Sequence, residues 1–371
     1  MRIGIPKEVK VHEYRVAITP AGVHELVSHG HQVHIERGAG DGSMISDNEF
    51  AAAGAKILDD ADAVWGESEM VLKVKEPIQS EYHRLRDDLT LFTYLHLAAS
   101  KECTGALVNA GTTAIAYETV QLPSGGLPLL FPMSEVAGCL APQVGASALL
   151  RANGGKGLLL GGVSGVKPAN VVILGAGVSG MNALAIAEGM WADVTVLDTN
   201  VEKLRALDRM YRGRIKTVTS NKLEVEKAVL DADLVIGAVL IAGARAPRLV
   251  SNELVSRMKP GSVLVDIAID QGGCFEDSRP TTHADPTYPV HDTIFYCVAN
   301  MPGAVPNTST YALTNVTLPY AVALADKGWK QAMRDDAVLA PGLNTVGGQV
   351  TSEPVAVAHG IQVLSLDAAL A

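Results

Sequence analysis

The feature that most constrains this chain is a short one. Val171-Val172-Ile173-Leu174 is an unbroken apolar run that passes directly into Gly175-Ala176-Gly177-Val178-Ser179-Gly180, and Met181 to Met190 continues with helical character. A buried strand, a glycine turn and a helix in that order leave few folds open. Each glycine has its own physical role. Gly175 permits the tight turn, Gly177 lets the backbone approach a pyrophosphate, and Gly180 lets helix and strand pack closely. The phosphates would rest on the free amides and positive end of the helix that opens at Val178.

In a chain with 36 glycines a G-x-G-x-x-G run by itself says little, and its surroundings decide the reading. A second strand-like run, Val194-Thr195-Val196-Leu197, ends in Asp198, 18 residues after the last glycine. A carboxylate there can accept hydrogen bonds from the adenosine ribose hydroxyls and would repel a 2′-phosphate. The expectation is a dinucleotide site with NAD preferred to NADP, a preference tempered by Lys203 and Arg205 close by.

Around this unit, short apolar runs alternate with helical patterns almost from end to end. The first third offers strands at Arg2–Ile5, Gln32–Ile35, Met70–Lys75, Leu89–Leu95 and Thr113–Tyr117. Thr19 and Pro20 open a helix that should stop at Gly30, because threonine caps the free amides and proline costs nothing in the first turn. Leu122 to Pro132 reads as a crossing between domains, Ser134 to Ala152 as a long helix interrupted at Pro142, and Gly154 to Gly165 as a flexible turn. Further strands follow at Val171–Leu174, Val194–Leu197, Ile215–Val218, Leu234–Ile236, Val263–Asp266 and Ile294–Val298, then a helix over Thr310–Ala325. Length favours two domains at 371 residues. The expected fold is α/β: two Rossmann-like doubly wound domains with a cleft between them. Residues 129–306 would form the dinucleotide domain, and 1–128 with 307–371 a discontinuous substrate domain.

Composition excludes several classes. A net charge of −10 and the absence of a basic stripe argue against nucleic acid. Cys103, Cys139, Cys274 and Cys297 are scattered among apolar neighbours, which reads as buried thiols in a reducing compartment. No apolar stretch approaches the roughly 18 residues of a membrane span, and Met1 to Ile5 begins at once with a strand, so a soluble cytoplasmic protein is expected.

Ligands in doubly wound sheets bind at the carboxyl ends of strands. In the first domain that rule selects Arg15, in the loop after the first strand, Lys75 at the end of the third, and His96 at the end of the fourth. If these strands are neighbours, two cations and an imidazole meet at one edge. Such a set suits a small carboxylate substrate, held by the Arg15 fork and the Lys75 charge, with His96 moving a proton. In the second domain Asp266 and Asp270 are both candidates for the acid/base partner of His96.

Taken together these segments resemble the alanine dehydrogenase family, which also includes the NAD-binding subunit of pyridine nucleotide transhydrogenase. The resemblance runs over nearly the whole chain: Met1 to Glu8, Glu13 to Ala17, Val74 to Pro77, Phe92 to His96, Met133 to Gly138, Gly175 to Gly180, Asp266 to Gly273 and Asn300 to Gly303. It implies NAD-dependent oxidative deamination of L-alanine to pyruvate and ammonia, and the reverse. Arg15 and Lys75 then correspond to substrate-binding cations, and His96 and Asp270 to the acid/base pair. Ser134, Asp198, Lys203, Ser220, Val239, Leu240, Ile267, Asp270, Arg279, Val298, Ala299, Asn300 and Met301 correspond to coenzyme contacts. The resemblance also implies a homohexamer and a first domain completed by the C-terminal segment. Ala323 and Lys327 stand where a carboxylate and a histidine could ligate a metal, so no metal is expected. Two other readings share the fingerprint: a transhydrogenase component, which would need membrane and NADP-binding partners, and an NAD sensor without turnover. Whether glyoxylate is aminated as well as pyruvate is left open.

Overall fold

The computed structural model describes residues 1–239 and 246–371; Leu240 therefore lies outside the described residues. The chain divides into two compact units, Met1–Met133 with Val305–Ala371, and Ser134–Ala304. The stretch Leu122 to Pro132 lies inside the first unit. The division falls one residue beyond it, within a helix.

The first unit opens with six parallel strands: β1 (Arg2–Ile5), β2 (Gln32–Glu36), β3 (Lys56–Leu58), β4 (Met70–Leu72), β5 (Thr90–Thr93) and β6 (Thr113–Ala116). The second unit holds β7 (Asn170–Leu174), β8 (Asp193–Asp198), β9 (Lys216–Thr219), β10 (Leu234–Gly237), β11 (Val263–Asp266), β12 (Thr287–Val290) and β13 (Thr293–Tyr296). The chain then returns to the first unit with β14 (Leu343–Val346) and β15 (Gln349–Val350).

The first sheet is ordered β15-β14-β6-β5-β4-β1-β2-β3. β1 to β6 run parallel, and β14 pairs antiparallel with β6. Strand order reverses between β1 and β4, which is where a doubly wound sheet opens a crevice. The second sheet is ordered β12-β13-β11-β10-β7-β8-β9, with β12 alone antiparallel. Its reversal lies between β7 and β10. Both central sets of strands are buried on both faces, so Val71, Leu91, Ile115, Val172, Val235 and Leu264 sit in continuous apolar runs rather than in alternation.

Thr19 caps the helix Pro20–Ser28 by accepting from the Gly22 amide, and Gly30 follows with φ +84°, as the sequence led one to expect. Pro142 departs from expectation, and Pro319 lies inside a helix as expected. The helix Phe131–Ala148 runs unbroken through Pro142, and the late helix extends over Pro306–Lys327, through Pro319. Each proline forfeits one backbone hydrogen bond, and burial of the helix outweighs it. The first of these helices is held tight: a Cβ on Gly138 would collide with the Ser179 carbonyl of the helix Val178–Gly189. Cys103, Cys274 and Cys297 are buried thiols, pushed up by burial to about 12, 12 and 11, while Cys139 is partly exposed beside Asn182.

Candidate active site and dinucleotide site

Because β1, β4 and β5 are adjacent, the loops that follow them leave the sheet side by side, and these loops carry Arg15, Lys75 and His96. The strands themselves are shorter than the sequence suggests. β4 ends at Leu72 and β5 at Thr93, so Lys75 and His96 sit in the irregular turns just beyond. The backbone bends here while hydrogen bonds to the neighbouring segment continue, the Lys73 amide donating to the Phe92 carbonyl and the Tyr94 amide to the Val74 carbonyl.

Arg15 is 2% exposed and is no surface residue. Its Nε donates to Glu13 Oε1 at 2.7 Å and its Nη2 to Glu13 Oε2 at 2.6 Å, a bidentate pair in a buried setting. Nη1 donates to Met133 Sδ at 2.9 Å. Glu13 thus fixes the plane of the guanidinium. Burial by itself would raise the Glu13 carboxyl. The hydrogen bonds and charge of Arg15, with the charge of Lys75 behind them, outweigh that and hold it below the usual range. Lys75 is half-buried and acts on the same carboxylate.

His96 adopts a left-handed conformation, φ 49° and ψ 38°. A non-glycine residue there is uncommon and needs support from its surroundings. Glu118 supplies it: its carboxylate accepts the His96 amide at 2.6 Å and the Leu95 amide at 3.2 Å. The same carboxylate lies 3.9 Å from Nδ1 of the imidazole. The ring is exposed on one side and stacks on Tyr94 on the other, with centroids 5.9 Å apart and planes 7° from parallel. Tyr94 is itself locked, its hydroxyl donating to the Leu129 carbonyl at 2.5 Å. Sequence reasoning missed Glu13, Tyr94 and Glu118 as contributors. Glu118 also follows a parallel strand, β6, so the strand-end rule could have found it.

In the second unit every parallel strand ends among the residues expected to meet the coenzyme. Gly175, Gly177, Val178 and Gly180 follow β7, Asp198 ends β8, Ser220 follows β9, and Val239 follows β10. Ile267 and Asp270 follow β11, and Val298, Ala299, Asn300 and Met301 follow β13. Gly175 has φ +105°, and a Cβ on Gly180 would collide with the Gly175 carbonyl oxygen. Around Gly177, by contrast, a Cβ would meet nothing within 4 Å among the described residues. That opening lies at the start of the helix Val178–Gly189, whose first amides have no side-chain cap. The cradle fits a dinucleotide pyrophosphate.

Asp198 braces this turn with its side chain. Oδ2 accepts the Ala176 amide and Oδ1 the Asn200 amide, both at 2.7 Å, which leaves carboxylate lone pairs on each oxygen. Lys203 Nζ stands 3.9 Å from Oδ2, and the Ser220 amide donates to the Asp198 carbonyl. Ser134 is half-buried in the first turn of its helix. Arg279 is exposed and lies over the Tyr288 ring at 4.0 Å. Asn300 takes φ +59° and its carbonyl accepts from His283.

The two aspartates after Val265 part company. Asp266 is fully buried and accepts the Ala268 amide at 3.0 Å, the Cys274 amide at 2.8 Å and the Ser278 hydroxyl at 2.5 Å. Burial raises its carboxyl despite these bonds. With its oxygens engaged it organises the loop and is no acid/base candidate. Asp270 sits exposed in the turn Ile269–Gln271 that this loop presents, and its side chain caps nothing there.

Two doubly wound sheets, one ending in a dinucleotide cradle and the other in paired cations with an imidazole, define a pyridine-nucleotide-dependent oxidoreductase. Comparison with known proteins agrees. The description "Alanine dehydrogenase/PNT, N-terminal domain" matches residues 4–137 and "Alanine dehydrogenase/PNT, C-terminal domain" residues 141–353. The chain belongs to the alanine dehydrogenase/PNT family. It is 64% identical over 356 residues to an alanine dehydrogenase of Mycolicibacterium smegmatis, covering 96% of each chain. It is 56% identical to one of Halomonas elongata, covering 98% of each. A solved L-alanine dehydrogenase superposes with a TM-score of 0.95 at 50% identity, covering 97% of this chain and 99% of that one. A transhydrogenase from Sinorhizobium meliloti gives 0.82 at 25% identity, covering 95% and 99%.

Proposed function

We propose that this enzyme catalyses the reversible oxidative deamination of L-alanine: alanine, NAD and water give pyruvate, ammonium, NADH and a proton. One observation carries the reading. The strands β1, β4 and β5 lie side by side in the sheet, and the turns beyond them carry Arg15, Lys75 and His96. Two fixed cations and an imidazole suit a small amino or oxo acid.

In this reading residues 1–133 and 305–371 hold the substrate, and residues 134–304 hold the coenzyme. Arg15, its plane set by Glu13, takes the carboxylate, and Lys75 places a positive charge against the substrate oxygens. Bound NAD supplies the hydride acceptor. The substrate α-carbon gives up hydride, and the resulting imine takes up water with His96 and Asp270 moving the protons. Gly175, Gly177, Val178 and Gly180 receive the pyrophosphate, and Asp198 the adenosine ribose, which favours NAD over NADP. Ser134, Lys203, Ser220, Val239, Leu240, Ile267, Arg279 and Val298 to Met301 complete the coenzyme site. A homohexamer in the cytoplasm accords with the family resemblance, with no nucleic-acid partner. Among the described residues no helix is long and apolar enough to cross a membrane.

The test is oxidation of NADH in the presence of ammonia and a panel of 2-oxo acids that includes pyruvate and glyoxylate. Turnover with pyruvate is expected. Turnover of a different acid with none of pyruvate would displace the alanine assignment. NADH binding without any turnover would leave a sensor, and hydride exchange between nucleotides without substrate would favour a transhydrogenase component.

A further inference from the structure

Behind Lys75 lies a buried cluster of charges that the reaction does not touch. Lys73 is 1% exposed. Its ammonium donates to Glu8 Oε2 at 3.1 Å and to Glu81 Oε1 at 2.9 Å, and the carboxylate side chains are 3% and 2% exposed. Three ionisable groups in a core are costly, and apolar residues of the same volume commonly serve stability as well or better. The ion pairing by itself therefore gives little reason for them to be there.

Their hydrogen bonds supply one. β1 and β4 pair only through Ile3 with Met70 and Gly4 with Val71, after which the two backbones part at the reversal of strand order. On its other side the segment stays tied to β5, since the Lys73 amide donates to the Phe92 carbonyl and the Tyr94 amide to the Val74 carbonyl. On the β1 side the amides of Val74 and Lys75 face a side chain in place of a strand carbonyl. Glu8 Oε1 takes both, at 2.6 and 3.4 Å. Glu81 Oε2 accepts the Ile78 amide at 3.0 Å from the far end of the same turn. The backbone from Val74 to Ile78 is thus held at both ends by carboxylates that share one buried lysine.

We infer that Glu8, fixed by Lys73 and Glu81, is a positioning residue for Lys75: its carboxylate replaces the missing strand partner and sets where the Lys75 side chain leaves the sheet. This rests on the reading of Lys75 as a substrate cation. The role belongs to the acceptor at position 8 and not to the buried charge.

Two triple variants separate the two. E8Q/K73M/E81Q removes every charge and keeps an acceptor for the Val74 amide; E8M/K73M/E81Q differs only in lacking it. The second is expected to show a KM for alanine at least tenfold above the first, with the KM for NAD the same in both. Introduced into Lys75→Ala, the same pair should differ little, because the acceptor works through Lys75. Should E8M/K73M/E81Q fail to fold, Glu8→Asp, which withdraws the carboxylate by one methylene, is compared with the wild type on the Lys75 and Lys75→Ala backgrounds in the same way. Equal KM values on the Lys75 background, or an equal loss with and without Lys75, would overturn the proposal. A wild-type enzyme inactive on alanine would instead overturn the functional reading, and this role with it.

Discussion

Glu13 and Arg15 form a bidentate ion pair two residues apart, with both N···O distances below 2.8 Å and both side chains essentially out of water. A lone buried guanidinium would be far too costly, and a mobile one would bind a carboxylate loosely. The pairing removes both difficulties.

Glu13→Gln should therefore be among the most damaging single changes in the first unit, since it strands a buried cation at a cost of about 3–5 kcal/mol. The Glu13 carboxyl is held below its ordinary value in the folded chain. Its contribution is accordingly present above the ordinary carboxylate range and lost as pH falls through the lowered folded value. Chemical denaturation of wild type and variant from neutral to acid pH checks this. The gap between the two should be widest near neutrality and close in acid.

The glycines of the turn after β7 should respond in opposite ways. Gly180→Ala forces a methyl into the Gly175 carbonyl and is expected to cost roughly 1–3 kcal/mol of stability. Gly177→Ala meets no atom of the described residues and should lose less stability than Gly180→Ala, about the small cost of an alanine at an N-cap, yet bind NADH on the order of tenfold more weakly. Thermal melts and NADH fluorescence titration on the two proteins separate these effects. Equal losses of stability would contradict the assignment of separate roles.

Asp198 braces the glycine turn through the Ala176 amide, so Asp198→Ala should weaken NADH binding and also narrow the preference for NAD over NADP. Measuring kcat/KM for both coenzymes shows whether the ratio moves. An unchanged ratio would mean that the carboxylate serves the turn alone.

His96→Ala is expected to reduce alanine turnover by about 10²–10⁴-fold while leaving NADH affinity in place. Glu118→Ala, which strips the acceptor from the His96 amide, should lower turnover less but in the same direction. Near-normal kcat in His96→Ala would remove the imidazole from the mechanism.

Much of this molecule was legible in one dimension because its signals are local. Apolar runs at Val171–Leu174 and Val263–Asp266 read as buried parallel strands since nothing in a doubly covered sheet requires alternation. The glycine turn was legible for a related reason: Gly175 and Gly180 answer to steric limits imposed by their immediate neighbours. Pro142 misled, because it sits in a helix whose packing outweighs a single lost hydrogen bond. Strand ends were misjudged where apolar character ran on past the ladder, as at Tyr94 and Leu95.

What the sequence offered by itself was a glycine turn suited to a dinucleotide and a short list of strand-end candidates, Arg15, Lys75, His96, Asp266 and Asp270. Tertiary structure alone decided which groups hold them. Glu13 on Arg15, Glu118 at the His96 amide, Glu8 at the Lys75 amide and Asp266 in the loop that carries Asp270 are all carboxylates whose partners are amides, a hydroxyl or a cation. A carboxylate in a sequence looks the same whether it faces solvent or a buried amide. The reversal of strand order beside β1 is what turned Glu8 from the first kind into the second.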